Sequence, residues 1–421
     1  MTDMTAPASI SPVLAADGTP LRKKLAQALF VSRLRALGLV APLLLFIVAS
    51  FIIPILLLLW QGVSNNTYAK NMPASTELLE SWDASSEPDE AMFTALVNDL
   101  VAAREAKTIG RVATRVNREQ GGTRSLFTST ARKAKKMEPP FKEAMLDTDE
   151  EWGDIEVWQA MKIAAKSTTP AFLAAAVDFD YKADGSFERV EEQQRIYVWL
   201  FVKTILVALA VTISCILLGF PVAYLLAHLP VKTSNLLMIL VLLPFWTSLL
   251  VRTTAWIAML QSEGVLNDLA VTFGITGDDQ RFSLIYNMTG TLIAMTHILL
   301  PFMILPLYSV MKTIPPSFMR AAKSLGATNW TAFWRVYAPQ TVPGIGAGSL
   351  LVFILAIGYY ITPALVGGQD GQLISNFIAY HMQRSLNWSL AAALAIFLLA
   401  VVLALYWIYD RLVGIDNMKL G

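Results

Sequence analysis

The chain is short of charge. Only 15% of its 421 residues are Asp, Glu, Lys or Arg, where a soluble globular domain carries about 25%. Its 33 bases and 32 acids nearly cancel, so no global field gathers nucleic acid or a strongly acidic partner. Cys215 is the single cysteine and lies inside an apolar run. One cysteine closes no internal disulfide and builds no thiolate cluster, so it reads as a small hydrophobe. The three histidines, His228, His297 and His381, are scattered without ligand spacing, which argues against a metal centre. No Gly-x-x-x-x-Gly-Lys-Ser/Thr segment occurs, which excludes ATP binding through a P-loop. No nucleophile–base pair stands out either, so a membrane-embedded hydrolase is disfavoured.

What is present is apolar surface: 55% hydrophobic residues and a mean hydropathy of +0.51. These residues sit in long unbroken runs, not in amphipathic stripes. About 20 helical residues cross the hydrocarbon core, so the runs predict six membrane helices, at about 37–60, 198–227, 236–260, 284–311, 342–362 and 389–412. Continuous runs without alternation favour helices over barrel strands. Arg22, Lys23, Lys24, Arg33 and Arg35 precede the first run. That run is too long for a signal peptide and reads as a retained anchor.

Loop charges predict orientation. Lys312, Arg320, Lys323 and Arg335 lie between the fourth and fifth runs without an acid among them. Glu263, Asp268, Asp278 and Asp279 face a lone Arg281 between the third and fourth. Basic loops stay inside, so both termini are expected in the cytoplasm. Residues 65–196 hold no span and carry 23 acids against 17 bases. They are expected as a mostly helical domain outside the membrane, with Trp152, Trp158, Phe141 and Phe172 as its small core and Asp89 as a helix cap. The expected order is therefore a cytoplasmic segment over 1–36, a first helix over 37–60, an insertion domain over 65–196, a membrane core over 197–413 with a cytoplasmic loop at 312–340, and a cytoplasmic tail over 414–421. Docking a soluble partner, capping a gate and passive elaboration all remain open as roles for the insertion.

The most informative segment is Pro315-Pro316-Ser317-Phe318-Met319-Arg320-Ala321-Ala322-Lys323-Ser324-Leu325-Gly326-Ala327, continuing to Phe333, Val336 and Pro339. It reads as a helix–turn–helix at the membrane surface. Ser317 is expected to cap the first helix and Gly326 to end it in a left-handed turn. Thr328 or Asn329 is expected to cap the second, which should stop before Pro339. The Ala321–Ala322 pair leaves a low face for another protein, and Phe318 and Leu325 are the expected anchors.

This segment resembles the signature loop of ABC importer permeases: Glu-Ala-Ala, three residues, Gly, nine residues, Ile, one residue, Leu-Pro. Ala321, Ala322, Gly326, Val336 and Pro339 match at that spacing. Arg320 stands where the family usually has Glu, and Ala338 where it often has Leu. Gly219-Phe-Pro221-Val-Ala-Tyr224, Leu243-Pro244-Phe-Trp246-Thr-Ser248, Arg252-Thr-Thr-Ala-Trp256, Gly264-Val-Leu-Asn267 and Thr362-Pro363-Ala-Leu-Val-Gly367-Gly368 are similar to segments of spermidine/putrescine-type permeases. The likeness spans nearly everything outside the insertion, which most such permeases lack.

The resemblance implies an all-α polytopic membrane protein of the bacterial inner membrane with the type I importer permease fold. It implies a coupling helix formed by Phe318, Arg320, Ala321, Ala322, Lys323, Leu325, Gly326 and Ala327. It further implies a separate ATPase dimer that uses ATP and magnesium, a second related permease, a periplasmic binding protein, and no cofactor on this chain. Polyamines, or related amines and amino-acid derivatives, are the implied cargo.

Arg252 is the charge set deepest within a run, and intramembrane charges are functional candidates. With Trp246, Trp256, Tyr359 and Tyr360 it forms the expected translocation path or gate, although aromatics near span ends also serve as interfacial anchors. Two rivals remain. An ion-coupled transporter should place acids within its spans, and the second to sixth runs hold none in their interiors, Asp410 standing at the end of the sixth. A membrane sensor with residues 65–196 as its receptor leaves the basic loop after the fourth run unexplained.

Overall fold

The computed structural model describes residues 21–413. The expected tail over 414–421 and the first 20 residues of the expected cytoplasmic segment lie outside the described residues. The chain divides into two compact units between Trp60 and Gln61. The first is a helix, Leu21–Ile47, continued through a π turn, Val48–Ile52, into Ile53–Gln61. The π turn ends two residues before Pro54. Proline has no N–H to donate, and Ile53 donates five residues back, to Val48 O. The wider turn carries the helix past the proline without breaking it.

The second unit opens with the insertion, eight short helices between Asn66 and Ala175 followed by an antiparallel hairpin, Phe179–Tyr181 with Phe187–Arg189. Its core is aromatic. Trp158 sits edge-on to Phe93 with ring centroids 4.8 Å apart, and Phe127 lies 5.2 Å from Trp152. Both buried indoles are satisfied: Trp152 donates to Thr130 Oγ1 and Trp158 to Trp152 O, each at 2.9 Å. Asp89 caps the helix Glu90–Glu105 by accepting from Met92 N. Phe172 departs from expectation. It leaves this core and packs with Leu200, Ile374, Leu390 and Leu394 of the membrane bundle, because its short helix α1 (Ala171–Ala175) is wedged against the bundle's end.

Six further elements build that bundle: α2 (Tyr197–His228), α3 (Val231–Leu242), α4 (Leu249–Leu260), α5 (Met288–Thr313), α6 (Pro316–Ser324) and α7 (Asn329–Gly358). They are followed by α8 (Ile361–Val366), α9 (Ile374–Gln383) and α10 (Trp388–Val413). Among the described residues, five helices are long and apolar enough to span a membrane, and a sixth span requires α3 and its continuation to be paired with α4 and the helix after it. The span expected at about 236–260 is sharply bent. Its two halves meet at 98°, because Pro244 tightens the end of α3 into a 3₁₀ turn, Leu243–Trp246, and Thr247 is extended.

Contacts fix the directions of the central helices. Cys215 Sγ reaches Thr296 O, Gly219 faces Met303 and Ile304, and Lys312 donates to Ala227 O. Residue numbers rise together, so α2 and α5 run parallel. Gly344 faces Leu307 and Val310 while Gly348 faces Met303, so α7 runs antiparallel to α5. The start of α2 carries the insertion; α6 therefore lies at the opposite end of the bundle. Small residues permit this packing. A methyl placed on Gly348 would meet Met303 Sδ at 2.7 Å, and one on Gly344 would meet Leu307 Cα at 3.2 Å. Gly344 and Gly348, four apart, thus act as a helix-packing seam.

Two polar contacts tie the insertion to the bundle. Asp178 accepts from the N–H groups of Ile196, Tyr197 and Val198 at 3.1, 3.0 and 2.8 Å, satisfying the start of α2. Arg118 donates to Leu386 O at 2.9 Å. His381, on α9, bonds Tyr197 Oη and Ser385 Oγ, each at 2.9 Å. Burial, and secondarily the Arg118 guanidinium, hold His381 below its ordinary value of 6.5. The folded state thus favours the neutral ring. Its contribution is present above pH 6.5 and is lost as pH falls below that value, since the unfolded chain takes the proton first. Thermal unfolding in detergent should show a lower melting temperature at pH 5.5 than at pH 7.5, and His381→Gln should remove that component of the difference.

Candidate functional site

Two places in the bundle carry polar or exposed chemistry. The first is the far end. Helix α6 starts at Pro316, with Pro315 extended and no side-chain cap. The expected Ser317 cap is corrected: Pro316 already supplies a helical φ in the first turn and needs no N–H there. The helix stops as expected. Gly326 has φ +91°, Ala327 N donates to Ala322 O at 3.1 Å, and Gly326 N to Lys323 O at 2.9 Å. The bond spanning the turn and the left-handed glycine together satisfy the last carbonyls. Thr328 then caps the next helix by accepting from Thr331 N.

That next helix does not stop before Pro339. It is the start of α7, and it continues through a π turn, Phe333–Tyr337, into Ala338–Gly358. Ala338 donates five residues back to Phe333 O, the same accommodation made ahead of Pro54. The loop is therefore continuous with a membrane helix. Its anchors also differ from those expected. Leu325 is 89% exposed and Phe318 48% exposed, so neither fixes the loop. Phe333 and Tyr337 do so instead, packing on Tyr224 at 5.7 and 5.3 Å, with Met319 also against the core. Phe318, Arg320, Ala321, Lys323, Leu325 and Gly326 form an exposed face, with Ala322 and Ala327 half-buried beneath it. This face is apolar in two side chains and cationic in two. It suits insertion into a partner's groove better than contact with water alone.

The second place is the insertion end, where two helices break. Helix α7 ends at Gly358, and α8 starts at Ile361 after Tyr359 and Tyr360. A break inside a membrane protein frees carbonyls that must find donors. The first turn of α9 supplies them. Ser375 Oγ donates to Tyr359 O at 2.9 Å, and Asn376 Nδ2 donates to Tyr360 O at 2.8 Å. Asn376 Oδ1 in turn accepts from Leu373 N. Across the other break, Thr253 of α4 contacts Thr362 of α8 through their hydroxyls at 3.3 Å, and both residues are buried. Trp256 Nε1 donates to His297 Nδ1 of α5 at 3.1 Å.

Of the residues expected to line a path, Arg252 and Trp256 share α4 with this polar junction, and Tyr359 and Tyr360 supply the carbonyls that α9 caps. Trp246 is 75% exposed and joins none of these contacts. The Arg252 Nε is buried and has no hydrogen-bond partner among the described residues. His297, Ser375 and Asn376 were missed by sequence reasoning. The Tyr-Tyr-x-Thr-Pro run was a usable signal, because a proline is tolerated in the first turn of a helix and so marks a new start just before it. The donors to the freed carbonyls lie about 16 residues further on and carry no local mark.

A bundle of spanning helices, with an exposed short helix at one end and polar helix breaks at the other, is the layout of a membrane transport subunit. Residues 196–414 match the family of binding-protein-dependent transport system inner membrane components. The spermidine/putrescine transport system permease protein PotB of Salmonella typhimurium (strain SL1344) is 35% identical over 222 residues, 52% of this chain and 77% of PotB. PotB of Haemophilus influenzae is 33% identical over 258 residues, 59% of this chain and 90% of that protein. The crystal structure of a bacterial ABC transporter that imports the acidic polysaccharide alginate has a TM-score of 0.43 and 18% identity, over 52% of this chain and 80% of its own. The chain belongs to the binding-protein-dependent transport family. It is the transmembrane permease subunit of an ABC importer, and the family match begins only after the insertion.

The capping of the α7–α8 break makes a separable prediction. Asn376→Ala leaves Tyr360 O without its donor and Leu373 N without its acceptor, each loss worth about 1–3 kcal/mol. A lowered unfolding midpoint in detergent should follow, and Tyr360→Phe, which keeps the backbone carbonyl and its bond, should leave the midpoint unchanged.

Proposed function

We propose that this permease moves a small organic amine across the bacterial inner membrane, a polyamine such as spermidine or putrescine or a related amine or amino-acid derivative. A periplasmic binding protein delivers the cargo to the insertion end. A separate ATPase dimer, using ATP and magnesium, drives transport from the other end, and this chain is itself non-catalytic. A second related permease completes the pathway, and both termini lie in the cytoplasm. The polyamine assignment leans on the names of the PotB relatives. The mechanical assignment leans on one observation: α6 presents Phe318, Arg320, Lys323 and Leu325 outward at the end of the bundle away from the insertion. Residues 312–340 are then the coupling loop. Because the second helix of this loop is the start of α7, a displacement of α6 reaches a span across one tight, hydrogen-bonded turn at 325–328.

At the insertion end, the junction of α4, α5, α8 and α9 is the proposed gate. It places Arg252, Trp256, Tyr359 and Tyr360 beside broken helices, the usual setting of a transport pathway. Arg320 in place of the family's usual Glu gives α6 two cations and no acid, which fits an acidic groove on the ATPase.

Purification of the tagged chain in mild detergent should bring down an ATPase subunit and a second permease. Arg320→Glu should weaken retention of the ATPase roughly tenfold, corresponding to about 1.4 kcal/mol. Recovery of the chain alone, with uptake driven by an ion gradient in liposomes, would falsify the importer assignment for the cargo step.

A further inference from the structure

Helix α7 is longer than the membrane it crosses. Its 30 residues, Asn329–Gly358, span about 45 Å at 1.5 Å per residue, and the hydrocarbon core is about 30 Å thick. Roughly ten residues must therefore lie in the headgroup zone or beyond. Residues 338–358 contain no charged side chain, whereas 329–337 contain Arg335. The excess length is consequently at the start of the helix, next to α6.

Within that start the side chains divide into two rows. Phe333 and Tyr337 turn inward onto Tyr224. Trp330 and Trp334, also four apart, form the row beside them and point away from the bundle, 72% and 54% exposed. Their rings pack edge to face with centroids 5.6 Å apart. Among the described residues neither indole N–H has a hydrogen-bond partner within the chain. Two large rings left outward at headgroup depth, each with an unused donor, need surroundings that are apolar on one side and rich in acceptors on the other. Water meets only the second need. The interface of a phospholipid bilayer meets both, through acyl chains and through ester and phosphate oxygens.

We propose that the Trp330–Trp334 pair is a lipid-docking surface that seats the coupling loop at the phospholipid headgroup level. Phe318 and Leu325 on α6 stay clear of this surface for a protein partner. The indoles fix the height of α6 relative to the bilayer, so that movement of a partner is converted into movement of α7 and not into vertical slippage of the loop. The lipid contact requires only that the chain spans a membrane, and it stands whatever the cargo or energy source.

The test uses the full chain labelled with 5-fluorotryptophan in phospholipid nanodiscs. The two fluorine resonances are assigned by Trp330→Phe and Trp334→Phe, which keep a ring at each position. Phospholipid carrying a nitroxide at carbon 5 of its chain should broaden both resonances severalfold more than lipid carrying it at carbon 16, and severalfold more than a water-soluble gadolinium chelate. Dominant broadening by the chelate would overturn the proposal and assign the pair to water or to a soluble partner. Dominant broadening by the carbon-16 label would overturn it equally, by placing the rings in the hydrocarbon and not at its boundary.

Discussion

Close approach of three helices around Met303 is the contact on which the rest of the bundle depends. Met303 sits on α5 between Gly219 of α2 and Gly348 of α7, and a methyl on either glycine would press on its side chain. In a bilayer, apolar side chains gain little from burying against one another in place of lipid, so association rests on packing at short range. Glycine makes that range available on both neighbours of α5. The same three helices reach both ends of the bundle: α2 begins under the insertion, α5 leads into α6, and α7 follows it after one turn.

Around this rigid centre, the irregular backbone is confined to places where a neighbour satisfies it. The α7–α8 break gives up two carbonyls to Ser375 and Asn376. The π turns before Pro54 and Pro339 absorb a missing N–H by reaching one residue further back. The start of α2 is satisfied by a single buried carboxylate, Asp178. Each device lets the chain change direction or admit a proline without an orphaned polar group. The insertion joins the bundle by the same logic, through a cap, an arginine-to-carbonyl bond and one phenylalanine.

Much of this was legible in the sequence, for stated reasons. Long apolar runs located the spans because a bilayer imposes a length, and Gly326 marked the end of α6 because a left-handed turn requires that residue. What escaped was set by partners distant in the chain. Pro244 marks a kink in the third run but not its 98° size, and Pro339 looked like a stop because nothing local reveals a π turn. Phe172 had the composition of an insertion core residue, yet its place was decided by Leu200 and Leu394. His297, Ser375 and Asn376 are ordinary polar residues until the fold brings a tryptophan or a freed carbonyl to them.

The central claim is mechanical: α6 inserts into an ATP-hydrolysing neighbour and α7 carries its displacement. Site-directed crosslinking tests it most directly, and the native thiol interferes little because Cys215 is buried. Leu325→Cys, treated with a short bifunctional thiol–amine reagent in the purified assembly, should crosslink to the ATPase with a yield that changes between nucleotide-free and ATP-bound states, whereas Trp246→Cys should not. An ATPase that copurifies yet crosslinks to no position between Phe318 and Gly326 would contradict the account.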